Sequence, residues 1–173
     1  MLSEKMTKAL NEQVAFELYS GYIYWSMAAW CSENGLNGSA NWMMMQAGEE
    51  LFHAHKMNAY VIERGGRAKM LKIDEPRFEW GSLLEVFQNA LEHERSVTSR
   101  INNLVDLAMA ERDHASTTFL QWYVTEQVEE EAGVEEIISQ LKLIGNDGRG
   151  LLMIDRELAA RTFTWPAPAA DAT

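Results

Sequence analysis

The chain has 173 residues, 26 Asp and Glu against 15 Lys and Arg, and a formal charge of −11. A hydrophobic content of 47% excludes global disorder. The acidic balance excludes general binding to nucleic acid or to an anionic membrane, and leaves cations open as partners. A single cysteine, Cys31, excludes an internal disulfide framework. No apolar run reaches the length of a membrane span, and the first residues lack the basic segment and apolar core of a secretory signal, so the expected location is the cytoplasm.

The three prolines are Pro76, Pro166 and Pro168, which leaves nearly the whole chain open to long helices. The first predicted helix spans residues 3–33, with Ser3 as an acceptable N-cap and the turn pair Asn34-Gly35 after it. The second runs from near Ser39 to the stop signal Gly65-Gly66. The third follows Ser82, an N-cap with Glu85 three positions on in a capping-box pattern, and continues to about Ala110. The fourth spans Ser116 to Ile144 and stops at GNDGRG. A short amphipathic helix from about Gly150 to Arg161 completes a domain over residues 1–161. The Ala/Pro-rich remainder, 162–173, is expected to be a flexible tail, with Trp165 able to dock.

Loop length then selects the topology. The first and second helices are joined by a short connection, as are the third and fourth, so each pair is antiparallel. Residues 66–81 reach about 50 Å when extended, whereas a helix of about 26 residues is about 39 Å long. This connection can therefore cross the whole bundle and set the second and third helices parallel. The predicted fold is all-α: a four-helix bundle with one long crossover and a short fifth helix.

Apolar residues recur at steps of three and four along each helix, and the interruptions in those stripes are the informative positions. The first stripe reads Leu10, Val14, Glu17, Gly21, Tyr24, Ala28, and the second Met43, Gln46, Glu50, His53, Met57, Tyr60. Glu94 stands between Ala90 and Val97 in the third, and Gln127 and Glu130 stand between Tyr123 and Val134 in the fourth. The helix midpoints fall near residues 18, 51, 96 and 129, so Glu17, Glu50, His53, Glu94, Gln127 and Glu130 share one depth in the bundle. No Lys or Arg on these stripes can neutralise the carboxylates, and unpaired buried carboxylates each cost several kcal/mol. Two divalent cations would balance four carboxylates. An oxygen-rich donor set with one imidazole suits iron(II) or manganese(II), with zinc as a further candidate. Glu50-x-x-His53 places two ligands on one helical face. Six polar side chains at one level on four stripes outweigh the alternative of solvated helix faces. Paired carboxylate ligands of this kind are a known construction in four-helix bundles.

At these residues the sequence resembles a bacterial non-haem ferritin over about residues 1–161. The resemblance rests on NEQVAFELYSGYIY around Glu17, GEELFHAH around Glu50 and His53, and FLQWYVTEQVEEE around Gln127 and Glu130. It implies a ferroxidase centre that oxidises iron(II) with O2 or H2O2, and a homo-oligomeric shell of 24 subunits storing ferric oxide. It further implies two irons per chain: Glu17 and His53 on the first, Glu50 bridging, Glu94 and Glu130 on the second, and Gln127 behind it or weakly coordinating. Tyr24 corresponds to the tyrosine beside that centre, as electron or hydrogen-bond donor; its alternative is an ordinary core tyrosine. Glu49, Glu126 and Glu129 correspond to a third iron site on the side facing the cavity, and without the family they read as an acidic face.

The departures are also informative. Bacterioferritins repeat ExxH on the fourth helix, where this chain has Gln127-Val128-Glu129-Glu130, so the second metal is expected to be held less firmly and to pass through. Phe52 stands where the bacterioferritin haem methionine would be, and no haem is expected. Rubrerythrins carry CxxC pairs that one cysteine cannot supply. Two rivals remain: a di-iron oxygenase or peroxidase acting on an organic substrate, and a non-catalytic bundle that only buffers cations.

Overall fold

Each helix begins where the chain supplies an acceptor for its first free N–H groups. In the computed structural model, which describes residues 1–166, five helices form: α1 (Glu4–Glu33), α2 (Asn37–Glu63), α3 (Leu83–Ala110), α4 (His114–Ile144) and α5 (Gly148–Leu158). No strand occurs among the described residues. Ser3 Oγ accepts from Met6 N at 2.9 Å and Ser82 Oγ from Glu85 N at 3.1 Å. Glu85 closes its half of the box one residue early, accepting from Gly81 N at 2.7 Å.

Three starts differ from the sequence-based expectation. α4 begins at His114 because Asp113 caps it, accepting from Ser116 N at 3.1 Å while Arg64, the C-cap residue of α2, holds its carboxylate. α2 begins at Asn37, and its N-cap residue, Leu36, has no side-chain acceptor. Asp155 of α5 supplies the cap instead: its carboxylate accepts from Gly38 N at 3.1 Å, Ser39 N at 2.7 Å and Ser39 Oγ at 2.8 Å. α5 itself spans Gly148–Leu158, shifted towards the N-terminus of its predicted range because Asp147 caps it. α2 ends as expected: Gly65 adopts φ +75°, where a Cβ is disfavoured, and Gly66 N closes the turn on Val61 O at 2.8 Å.

Side-chain bonds between helices fix their directions. Gln13 meets Arg100 and Ser20 meets His93, so α1 and α3 run antiparallel. Gln46 meets Glu130, Tyr123 meets the carbonyl of His53 and Tyr60 meets Ser116, so α2 and α4 are antiparallel too. Because α1 and α2 are joined through residues 34–36 as an antiparallel pair, α2 and α3 are parallel, as the crossover requires. The crossover is tied along α1: Asn11 Nδ2 donates to Arg67 O at 3.0 Å, Ser26 Oγ donates to Arg77 O at 2.6 Å, and Trp80 packs edge-on to Trp30.

The core is divided. One apolar cluster gathers Met27, Trp42, Met43, Phe87, Val134 and Ile138, and the other Met6, Leu10, Met57, Ile101, Leu120 and Tyr123. Between them in each helix lie the polar positions: Glu17 and Ser20, Gln46, Glu50 and His53, Glu94, then Gln127 and Glu130, all buried.

Candidate metal centre

The polar layer lies at mid-bundle because each contributor replaces one apolar residue of an inward stripe, so helical repeat and bundle packing carry its side chain inward. Glu17 and Glu94 have no accessible surface, and Glu50 has 1%. Ligand atoms of Glu17, Glu50 and His53 lie within 4.8 Å of one another, and so do those of His53, Glu126 and Glu130. The two groups share His53. Its Nδ1 stands 3.5 Å from Glu50 Oε2, and its backbone carbonyl accepts from Tyr123 Oη at 2.9 Å.

Amides and phenols hold the carboxylates from outside. Gln13 Nε2 donates to Glu17 Oε1 at 2.9 Å, and Gln46 Nε2 donates to Glu130 Oε2 at 2.5 Å. Glu94 receives the Tyr24 hydroxyl on Oε1 and Gln127 Nε2 on Oε2, the latter at 3.1 Å. Glu17 Oε2 and both oxygens of Glu50 have no hydrogen-bond partner. Buried polar atoms are nearly always paired, so three unpartnered carboxylate oxygens beside an imidazole point to a ligand.

The electrostatics match that reading. Burial raises the Glu17 carboxyl to about 7. Burial, then the neighbouring carboxylates, push Glu50 and Glu130 well above the usual carboxylate range. Glu94 is also raised by burial, against the pull of Tyr24 and Gln127. Burial and the Lys56 ammonium lower His53 to about 4, which leaves its imidazole neutral and able to ligate. A divalent cation would reverse the balance, because a metal takes the deprotonated ligand.

The remaining expected residues are distributed unevenly. Tyr24 is fully buried and bonded to Glu94. Glu94 belongs to neither ligand group, and its two oxygens accept from Tyr24 and Gln127. Glu126 joins His53 and Glu130 rather than only Glu49 and Glu129. Glu129 is exposed. Glu49 is paired with Arg161, whose Nη2 donates to Glu49 Oε2 at 2.5 Å. Sequence reading passed over Gln13, which lies one turn before Glu17 and just off the apolar stripe. It also missed Arg161, in a segment separated from Glu49 by most of the chain.

Comparison with known proteins agrees with the fold. Residues 7–144 match the family described as Ferritin-like domain. A bacterial non-heme ferritin of Staphylococcus saprophyticus is 44% identical, over 94% of this chain and 98% of the relative. A probable bacterial non-heme ferritin-like protein of Haemophilus influenzae is 42% identical, over 91% of this chain and 96% of the relative. An open-pore ferritin from the archaeon Archaeoglobus fulgidus superposes with a TM-score of 0.93 at 52% identity, covering 94% of this chain and all of that one. With an all-α bundle, a single crossover and relatives matched nearly end to end, the chain belongs to the ferritin family.

Proposed function

We propose that this protein stores iron. It takes up iron(II), oxidises it at the mid-bundle carboxylate site and passes the ferric product into the cavity of a homo-oligomeric shell of 24 subunits. The observation that carries the reading is the trio of unpartnered oxygens on Glu17 and Glu50 next to the neutral imidazole of His53. In this reading Glu17 and His53 bind one iron, Glu50 bridges, and Glu130 with Glu94 holds the second. Gln127 and Tyr24 orient Glu94, each taking one lone pair of a different oxygen and leaving the second lone pair of each free to ligate. Two iron(II) ions give up one electron each. The pair reduces O2 with two protons to H2O2, or H2O2 with two protons to two waters. The buried carboxylates favour the more highly charged iron(III) product. Iron is thus the substrate and the cargo, and no haem takes part.

Glu126 and Glu129, with Glu49, would receive iron on its way to the cavity. No helix among the described residues is long and apolar enough to cross a membrane, and the acidic chain offers no general nucleic-acid surface. Cytoplasmic iron storage is the setting we assign.

Anaerobic iron(II) loading of the assembled protein followed by oxygen tests the reading. The expected result is rapid oxidation with many irons retained per chain as mineral. Retention of two irons per chain without mineral would overturn storage. A His53→Ala protein that oxidises iron at the native rate would overturn the site.

A further inference from the structure

Beyond α5 the chain turns back along α2 as a strap. Asn41 Nδ2 donates to Ala159 O at 3.3 Å and to Arg161 O at 2.9 Å. The Arg161 guanidinium lies 4.5 Å from the centre of the Trp42 ring and donates to Glu49 at 2.5 Å. Two residues on, Phe163 fills the space that Gly48 leaves open: a Cβ there would stand 2.8 Å from the Phe163 ring. Trp165 then packs edge-on against Phe52 and His55, with ring centres 5.6 and 5.5 Å apart. The strap therefore covers the face of α2 that carries Trp42, Gly48, Glu49 and Phe52, beside Glu50 and His53 in the chain.

A guanidinium is a monovalent cation fixed to the chain. Seated on Glu49, it neutralises a carboxylate one residue before Glu50. We propose that Arg161 is the built-in competitor for the third cation subsite: a metal ion reaches Glu49 only by displacing Arg161, so the strap sets how tightly a third ion is held. This rests on the proposed storage reading, because it supposes that metal ions occupy the neighbouring ligand groups. The electrostatics are consistent with it, since Arg161 lowers and Glu49 raises the proton affinity of Glu130. Glu49 belongs to neither ligand group, and its carboxylate is paired with Arg161. A third ion that must expel a tethered cation is held weakly, which suits a position iron passes through.

The test is calorimetric titration of the assembled, metal-free protein with zinc(II), which cannot be oxidised, in the native chain and three variants. Arg161→Gln removes the competing charge and should tighten the third ion by about tenfold, roughly the worth of one charge-assisted hydrogen bond. Arg161→Lys keeps a cation on the strap and should leave the third ion close to native affinity. Adding Glu49→Gln to Arg161→Gln should abolish the gain. Equal third-ion affinity in the native and Arg161→Gln proteins would overturn the proposal. So would equal tightening in Arg161→Lys and Arg161→Gln, which would mark Arg161 as a structural anchor only. Glu50→Ala in the same titration reports on the dinuclear site alone. If it leaves the first two ions unchanged, the storage reading fails independently of the strap.

Discussion

Glu50 carries two buried oxygens without a partner, whereas Glu94 and Glu130 each receive a hydrogen bond from Tyr24, Gln127 or Gln46. Such a side chain destabilises the metal-free fold by about 1–3 kcal/mol, the cost of a buried polar group left unsatisfied, and an apolar side chain of similar volume would not carry that cost. Glu50→Met should therefore raise the Tm of the metal-free protein while removing most of the stabilisation that zinc(II) or iron(II) confers on the native chain. Scanning calorimetry with and without metal measures both, and a lower metal-free Tm would contradict the assignment.

The same layer sets a pH dependence. Glu17 is raised from 4.5 to about 7 in the fold, so the folded protein binds the extra proton, and its contribution is lost as pH rises through about 7. Glu50, Glu94 and Glu130 are shifted in the same direction. His53 and His93 work the other way: each is lowered from 6.5 to about 4, so their contribution is lost as pH falls from 6.5 towards 4. Above 6.5 the carboxylates act without that opposition. Denaturant unfolding of the metal-free protein should show stability falling from pH 6.5 to 8, whereas the metal-loaded protein should gain, because binding releases protons.

The residues of this layer were legible in the sequence for one physical reason: a charged residue on an apolar stripe has no solvent to face. Glu17, Glu50, Glu94 and Glu130 stood out that way, and His53 and Gln127 with them. Gln13 did not, because a glutamine beside the stripe looks like any surface residue. The pairing of Glu49 with Arg161 joins positions 112 apart, and no local pattern encodes it.

At the scale of elements, helix count, order and crossover followed from proline placement and loop length. Helix starts followed only where the cap is local. Ser3 and Ser82 were readable caps, but α2 takes its cap from Asp155 of α5. Gly38 permits that contact, because a Cβ there would lie 1.6 Å from Asp155 O. The overlap involves backbone, which cannot swing aside as a side chain would. Gly38→Ala should thus cost about 3 kcal/mol, the upper end of overpacking effects, and separate α5 from the start of α2. Asp155→Ala should cost less, about 1–3 kcal/mol for an orphaned helix terminus. Thermal unfolding ranks the two, and hydrogen exchange at residues 38–41 locates the loss.

The whole molecule exposes apolar side chains where a bundle on its own would keep them scarce. Tyr22 and Trp25 on α1 and Met70, Ile73 and Phe78 on the crossover are all more than 40% exposed, and the crossover is bonded along α1. That common face is suited to a second copy of the chain. The proposed shell predicts a native mass of about 24 times the 19.7 kDa chain. Native mass spectrometry checks this, and Trp25→Asp, which places a charge on that face, should yield smaller particles.

The borrowed cap of α2 has a consequence for how the protein is made. Gly38 N waits for an acceptor 117 positions later, so on the ribosome the start of the second helix stays frayed until α5 has been synthesised. The α1–α2 hairpin can form early through its own apolar seam, but its loop end is sealed last. A chain released before Asp155 would bear the four bundle helices with one terminus open. Docking of α5 thereby completes the first hairpin, because Asp155 supplies the acceptors that the start of α2 lacks.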